Sequence, residues 1–218
     1  MKDQASLAYP EVMQVVLFDL GGVLIRISRS WSEAADRARV AVPVEQRETG
    51  SLVRPSGNQA DLQRGAIDYA QFLERERLRL GDRLDSEALH RIHMEWLQGE
   101  YDGVAEIVAA LGRAGVRTGT LSNTDAEHWK ALSEMPAIRA LDVHALSFRL
   151  GLLKPSPEIY HAAEDLLDVT GSAICYFDDL QENVEGALRC GWNAMWIDPH
   201  EPTAPQIARG LEASGITC

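Results

Sequence analysis

Five short apolar runs punctuate the chain: VVLFD from Val15, VRTGTLS from Val116, VHALSF from Val143, AICYFDD from Ala173 and NAMWID from Asn193. Each has the length of a strand and is nearly continuous rather than alternating, as expected for parallel strands covered on both faces. Between the later runs the apolar period becomes that of a helix. GVAEIVAALGRAG sets Val104, Ile107, Val108 and Leu111 on one face and closes on Gly115 as a C-cap. SPEIYHAAEDLLD opens with Ser156 as N-cap and Pro157 in the first turn. ENVEGALRCG bridges the last two runs. Strand alternating with helix predicts an α/β fold, a Rossmann-like parallel sheet joined by right-handed crossovers.

The stretch from Ile25 to about Gly99 reads differently. YAQFLERERLRL and SEALHRIHMEWLQ are helical in period, no strand-like run interrupts them, and loops such as RPSGNQ separate the parts. The expected organisation is an α/β core made of residues 1–25 and 100–218, with a small α-helical domain, residues 26–99, inserted after the first strand. A chain of 218 residues has room for one large domain with such an insert.

Composition narrows the partners. Lys+Arg total 21 against 33 for Asp+Glu, a formal net charge of −12, which repels nucleic-acid backbones and anionic lipid. Three cysteines, Cys175, Cys190 and Cys218, have no metal-ligand spacing and make no disulfide framework, so a reducing cytoplasmic setting is expected. Cys175 and Cys190 lie in apolar segments and read as small core residues. No apolar run approaches the ~20 residues that span a bilayer. The first residues, MKDQASLAYPEVMQ, lack the pattern of a signal peptide.

Ligands of open α/β sheets bind beyond the carboxyl ends of the strands. The first run ends on Asp19, the second on Ser122 and Asn123, the fourth on Asp178 and Asp179, and Lys154 follows the third. Singly, each has a plain explanation as a turn, a cap or a solvated charge. Jointly they make a phosphoryl-transfer site. A carboxylate, Asp19, can attack phosphorus and become an acyl phosphate. Two anions then have to meet, which magnesium held by Asp19 and Asp179 would permit. Lys154 adds a fixed cation. Ser122 and the N–H groups after it, at a helix start, would cradle phosphate oxygens together with Asn123 and Gly22. Gly21 and Gly22 let the backbone turn tightly after the nucleophile and bring a carbonyl to the metal.

FDLGGVL, TLSNTD, GLLKPSPEIY and YFDDLQENVEGA occur in an order and spacing that resemble the haloacid dehalogenase superfamily over nearly the whole chain. Its bacterial sugar-1-phosphate phosphatase branch looks most similar, and the phosphatase domain fused to soluble epoxide hydrolase is similar too. The resemblance implies that Asp19 is the nucleophile and the Gly21 carbonyl a magnesium ligand. It implies a phosphate-binding pair in Ser122 and Asn123, a charge-stabilising Lys154, an acidic metal pair in Asp178 and Asp179, and a supporting Asn183. The helical insert corresponds to a cap that selects substrate. The implied activity is a magnesium-dependent phosphatase acting on a small phosphorylated metabolite such as a sugar phosphate.

Gly21 departs from that pattern, because the superfamily's phosphatases usually carry a second aspartate there to protonate the leaving alcohol. Help of that kind is typically worth ~10²–10⁴-fold. Its loss favours good leaving groups, such as an anomeric sugar oxygen, unless another residue supplies the proton. Two other readings use the same residues. A haloacid dehalogenase shares the nucleophile, and Tyr160 six residues after Lys154 is compatible with it, but it has no use for an acidic metal pair. A non-catalytic binding protein would keep the fold and lose turnover. Phosphonate cleavage through a Schiff base needs a lysine in the insert, and the lysines are Lys2, Lys130 and Lys154. Within the insert, Arg54, Ser56, Asn58 and Arg64 are polar candidates for facing a substrate, and Trp31 and Trp96 read as core or pocket wall.

Overall fold

Strands β1 (Val15–Phe18), β4 (Arg117–Ser122), β5 (Val143–Leu146), β6 (Ile174–Asp178) and β7 (Asn193–Trp196) form one sheet in the order β5-β4-β1-β6-β7, parallel throughout. The computed structural model describes residues 15–42 and 57–217. The near-continuous apolar runs follow from the two-sided covering of this sheet. Successive side chains of a strand point to opposite faces. Val16 and Phe18 therefore join Val104, Val108 and Leu111 of α5 (Val104–Arg113) and Ile207 and Leu211 of α11 (Thr203–Ala213) on one face. Val15 and Leu17 join Ile159, Tyr160 and Ala163 of α9 (Pro157–Leu167) and Ala187 of α10 (Gln181–Arg189) on the other.

The parallel sheet and its flanking helices match the expectation, and the segment that follows β1 corrects it. Ile25–Ile27 (β2) pairs antiparallel with Leu97–Glu100 (β3), so a two-stranded ribbon brackets the helices where an all-helical stretch was expected. Leu-Gln-Gly-Glu has a glycine and two polar side chains in four residues and is half-buried along its length, which hides it from a search for apolar runs. Between the two strands lie α1 (Trp31–Arg37), α2 (Gly57–Gln63), α3 (Tyr69–Arg79) and α4 (Ser86–Met94). They have a core of their own, in which Ala34 and Ala35 pack with Leu80, Leu84, Leu89 and Ile92. Gly57, Asn58 and Gln59, expected in a loop, open α2, whereas Arg54 and Ser56 lie outside the described residues, as does Cys218.

Smaller corrections concern element ends. The third run stops at Leu146, and Ser147–Leu150 turns into a short helix after it. Gly115, at φ +75°, stands one residue beyond the cap residue Ala114. Ser156 holds the N-cap position of α9, but its hydroxyl bonds the Glu158 carboxylate rather than a backbone N–H. Cys175 is buried as expected, and Cys190 is only half-buried. No helix among the described residues is long and apolar enough to cross a membrane.

The last helix is seated on the sheet through Gly210. A Cβ built there would stand 2.5 Å from Phe177 Cε1 and 2.8 Å from Met195 Sδ. Phe177 is fully buried and stacks on Phe18 at 5.6 Å, so it has nowhere to go. Gly210→Ala should therefore destabilise the protein, since overpacking costs about 1–3 kcal/mol and outweighs the roughly 1 kcal/mol by which alanine favours a helix. A chemical denaturation curve should show a lower midpoint at unchanged slope.

Candidate active site

The sheet order makes β1 the central strand, with β4 and β6 as its neighbours. Register carries Phe18 opposite Thr120 and Phe177, so the residues that follow the three strands meet at one edge. The Asp19 N–H donates to the Phe177 carbonyl at 2.8 Å, and Thr120 Oγ1 donates to the Phe18 carbonyl at 2.7 Å. This places Asp19 beside Asp178 and Ser122. Carboxylate oxygens of Asp19, Asp178 and Asp179 lie within 4.8 Å of one another, all three residues being buried.

Lys154 sits among these acids and is fully buried. Its ammonium spends three donors on the Leu121 carbonyl at 2.9 Å, the Tyr176 hydroxyl at 2.8 Å and Asp178 Oδ2 at 2.7 Å. Asp19 Oδ1 is also 2.9 Å away but lies outside hydrogen-bonding alignment, so it feels the cation's charge while making no hydrogen bond. Burial works against the lysine's charge, and Asp178 and Asp19 outweigh it, holding Lys154 above its usual range. Asn123 fixes the lysine's backbone: its Oδ1 accepts from the Lys154 N–H at 2.9 Å and its Nδ2 donates to the Lys154 carbonyl at 3.1 Å.

Asp178 is saturated. Besides Lys154 it accepts from the Tyr176 hydroxyl, from the Leu180 N–H at 2.8 Å and from Asn183 Nδ2 at 3.0 and 3.1 Å. Asn183 thus reaches the site through Asp178. Asp179 meets Arg29 instead, with Nη1 to Oδ2 at 2.8 Å. Gly22 explains how Asp179 comes so close to the loop after β1. It has φ +82°, and a Cβ there would lie 2.1 Å from Asp179 Oδ2. Gly21 needs no such licence: its φ lies outside the left-handed region, and a Cβ would press only on the flexible Ile27 side chain at 3.0 Å. Both glycines were expected to be there for the turn, and the requirement rests on Gly22.

Burial above all, with Asp178 and Asp179 adding to it and Lys154 opposing, lifts the Asp19 carboxyl to about 7. Burial likewise raises Asp179, with Arg29 the chief opposing influence.

Ser122 is buried at the strand end, but the helix α6 (Ala126–Leu132) begins four residues later, and Asp125 caps it by accepting from the N–H groups of Glu127 and His128. The Thr124 N–H is taken by Ser147 Oγ at 2.9 Å. The N–H groups of Thr124, Glu127 and His128 are therefore held by the protein itself.

A cavity of about 430 Å³ opens above the site, lined on the core side by Asp19, Ser122, Asn123, Lys154 and Asp179. Elements of the 26–99 stretch roof it with Trp31, Phe72, His93 and Trp96 among others. Of the insert candidates, Trp31 and Trp96 line the cavity, Asn58 donates to Glu76 Oε1 at 2.8 Å, and Arg64 is exposed beside Asp61. Tyr160 is buried in the core, and its hydroxyl donates to the Asn183 carbonyl. Sequence reasoning missed Tyr176, whose spacing of two from Asp178 on a strand puts both on one face and was a usable signal. It also missed Arg29 and His93, which nothing local marks.

The family description "haloacid dehalogenase-like hydrolase" matches residues 13–191. The Mycobacterium tuberculosis protein named Phosphatase MT3486 is 29% identical over 93% of this chain and 95% of its own length. (S)-2-haloacid dehalogenase 1 of a Pseudomonas species is 28% identical over 83% of this chain and 74% of its own length. Among solved structures, a mutant of the Bacteroides thetaiotaomicron HAD family enzyme bt-2542, in complex with magnesium and inorganic phosphate, superposes with a TM-score of 0.78 at 20% identity. That similarity covers 89% of this chain and 98% of the other.

Crowded buried acids set a pH-dependent penalty. A carboxyl lifted in the folded state binds a proton there that the unfolded chain releases, so its contribution to stability falls as pH rises from about 4 to about 7. In chelator, Asp19→Asn should stabilise the protein at pH 8, by about 1–3 kcal/mol. The gain should vanish near pH 4, which denaturation at the two pH values checks.

Proposed function

The chain belongs to the haloacid dehalogenase-like hydrolases, and from that premise we propose that it is a magnesium-dependent phosphomonoesterase acting on a small phosphorylated metabolite. One observation carries the reading: a buried carboxylate oxygen of Asp19 with no hydrogen bond, facing a lysine held rigid by other partners and two further acids. An acid surrounded in this way is a nucleophile kept unencumbered.

The donor set fits magnesium. Hard carboxylate oxygens suit the ion, Asp19 Oδ1 lacks a hydrogen bond, and the Gly22 backbone permits Asp179 to crowd the loop. Asp19, Asp179 and the Gly21 carbonyl would hold it, with Asp178 behind them. The ion supplies the positive charge that lets an anionic nucleophile meet an anionic phosphate.

In this proposal an Asp19 carboxylate oxygen bonds to phosphorus as the bond to the leaving oxygen breaks. Water then hydrolyses the aspartyl phosphate, releasing phosphate and restoring Asp19. Lys154 presents charge from one place because its three donors are satisfied elsewhere, and Asn123 holds its backbone in that place. Asp178 acts chiefly on Lys154. Ser122 stands at the phosphate end, and Gly22 keeps the loop close. Asn183 orients Asp178. Residues 26–99 form a cap whose aromatic side chains shape the room for the leaving group, with residues 1–25 and 100–218 as the core. The −12 net charge speaks against a nucleic-acid substrate.

A dehalogenase reading draws on the Pseudomonas relative, and one experiment separates the two. Purified protein with magnesium should release phosphate from p-nitrophenyl phosphate and stop on chelation. Asp19→Asn should lower the rate at least about a thousandfold. Asp179→Asn should raise the half-saturating magnesium concentration at least about tenfold. Release of halide from a 2-haloacid in chelator, without phosphatase activity, would overturn the proposal.

A further inference from the structure

Gly21 leaves the leaving oxygen without the usual carboxyl, and the cavity's other protonatable groups on the described residues narrow the field. Asp179 is paired with Arg29, Lys154 has spent its donors, Glu76 is bound by Arg79 and Asn58, and Glu182 is an exposed residue in the first turn of α10. His93 differs. It sits near the end of α4 in the roof of the cavity that holds Asp19, and its Nε2 is 3.3 Å from Asp125 Oδ2, an ion-pair contact in which neither atom completes a hydrogen bond. Its other ring nitrogen, Nδ1, makes no hydrogen bond among the described residues, and the residue is part of the cavity wall.

Asp125 is equipped to back that ring. Oδ1 is spent on the N–H groups of Glu127 and His128, which leaves Oδ2 for the histidines. Burial is outweighed there by His128 and His93, so the carboxylate stays ionised well below its usual range. His128 stacks on His93 with centroids 3.9 Å apart and planes 4° apart, and its Nε2 bonds the His93 carbonyl at 2.8 Å. Burial first, then His93, push His128 down to about 4. The remaining titratable neighbours are Glu127 on the same turn as Asp125 and Tyr69 of α3. The Tyr69 ring is 5.1 Å from His93, and its hydroxyl meets His90 Nδ1. The three ligand-type side chains do not make a metal site in this arrangement. Parallel stacked imidazoles cannot both aim an in-plane lone pair at one ion.

We infer that His93, backed by Asp125, is the general acid–base residue of this site, reaching the substrate from the insert in place of a carboxyl at position 21. The inference rests on the phosphomonoesterase reading. As the phosphorus–oxygen bond breaks and its electron pair moves to the leaving oxygen, His93 Nδ1–H gives that oxygen a proton. Nε2–H remains facing Asp125. In the second half-reaction the neutral Nδ1 takes a proton from water as the water oxygen bonds to phosphorus and the Asp19–phosphorus bond breaks, so the ring ends as it began.

The test compares an alkyl phosphate with p-nitrophenyl phosphate, because only the poor leaving group needs the proton. His93→Ala should slow the alkyl ester about 10²–10⁴-fold and the aryl ester less than about tenfold. Added imidazole should restore much of the alkyl rate, and the limb of the wild-type pH profile that reports the acid should disappear for the alkyl ester. Equal losses on both esters, no loss on either, or failure of imidazole to rescue would overturn the inference, since a stacking role alone predicts them. If circular dichroism shows that His93→Ala does not fold, His93→Gln and the wild type decide. Similar wild-type chemical-step rates on both esters support the inference, and a steep preference for the aryl ester overturns it. Wild-type protein without magnesium-dependent p-nitrophenyl phosphate hydrolysis would instead refute the phosphomonoesterase reading beneath it.

Discussion

Buried charge without enough compensation is the constraint around which this molecule is arranged. Three carboxylates and one ammonium meet at the end of a strand whose other residues are entirely apolar. Each of those charges loses hydration, and a charge buried alone is costly. The protein answers by ranking them. Asp178 receives donors from Lys154, Tyr176, Leu180 and Asn183, Lys154 is locked to Asp178, Tyr176 and a carbonyl, and Asp179 takes Arg29. What remains is Asp19, supported by charge alone and lifted to about 7. The unmet demand is gathered on the one group proposed to react.

The same ranking explains residues that never touch the cavity's centre. Asn123 matters through the backbone of Lys154, and Asn183 through Asp178. Gly22 matters because a side chain there would collide with Asp179. A network of this kind is worth more than its separate bonds, because each partner keeps another from being left unpaired.

Among the described residues, polar groups join the helices of the 26–99 stretch to the loops at the sheet's edge. Gln63 reaches the Asn123 carbonyl at 3.4 Å, Ser147 donates to the Gln63 carbonyl at 2.6 Å, and His93 stacks on His128. The apolar core of α1, α3 and α4 is separate from the cores on the sheet's two faces. A unit that satisfies its own hydrophobic demand and touches the site through polar groups can be adapted to a substrate without rebuilding the sheet.

The chain's pattern alone determined the parallel sheet, the helices between its strands and the polar residues at strand ends. All of these follow from local periodicity and from the rule that parallel strands present their carboxyl ends together. Asp19, Ser122, Asp178 and Asp179 could be picked out because each sits at a strand end or just after one, and Lys154 because it follows the third apolar run in the segment leading to α9. The ribbon of β2 and β3 was not legible, since its second strand lacks an apolar run and gains its stability from a partner 70-odd residues away in sequence. Arg29 and His93 were equally hidden, because neither has a local signature and each acquires a role only from what stands opposite. Packing likewise decided that the N–H group of Thr124 goes to Ser147 and those of Glu127 and His128 to Asp125. Sequence can say which groups arrive at the edge of the sheet. Which of them are already satisfied there depends on distances between residues far apart along the chain, and only the tertiary structure sets those.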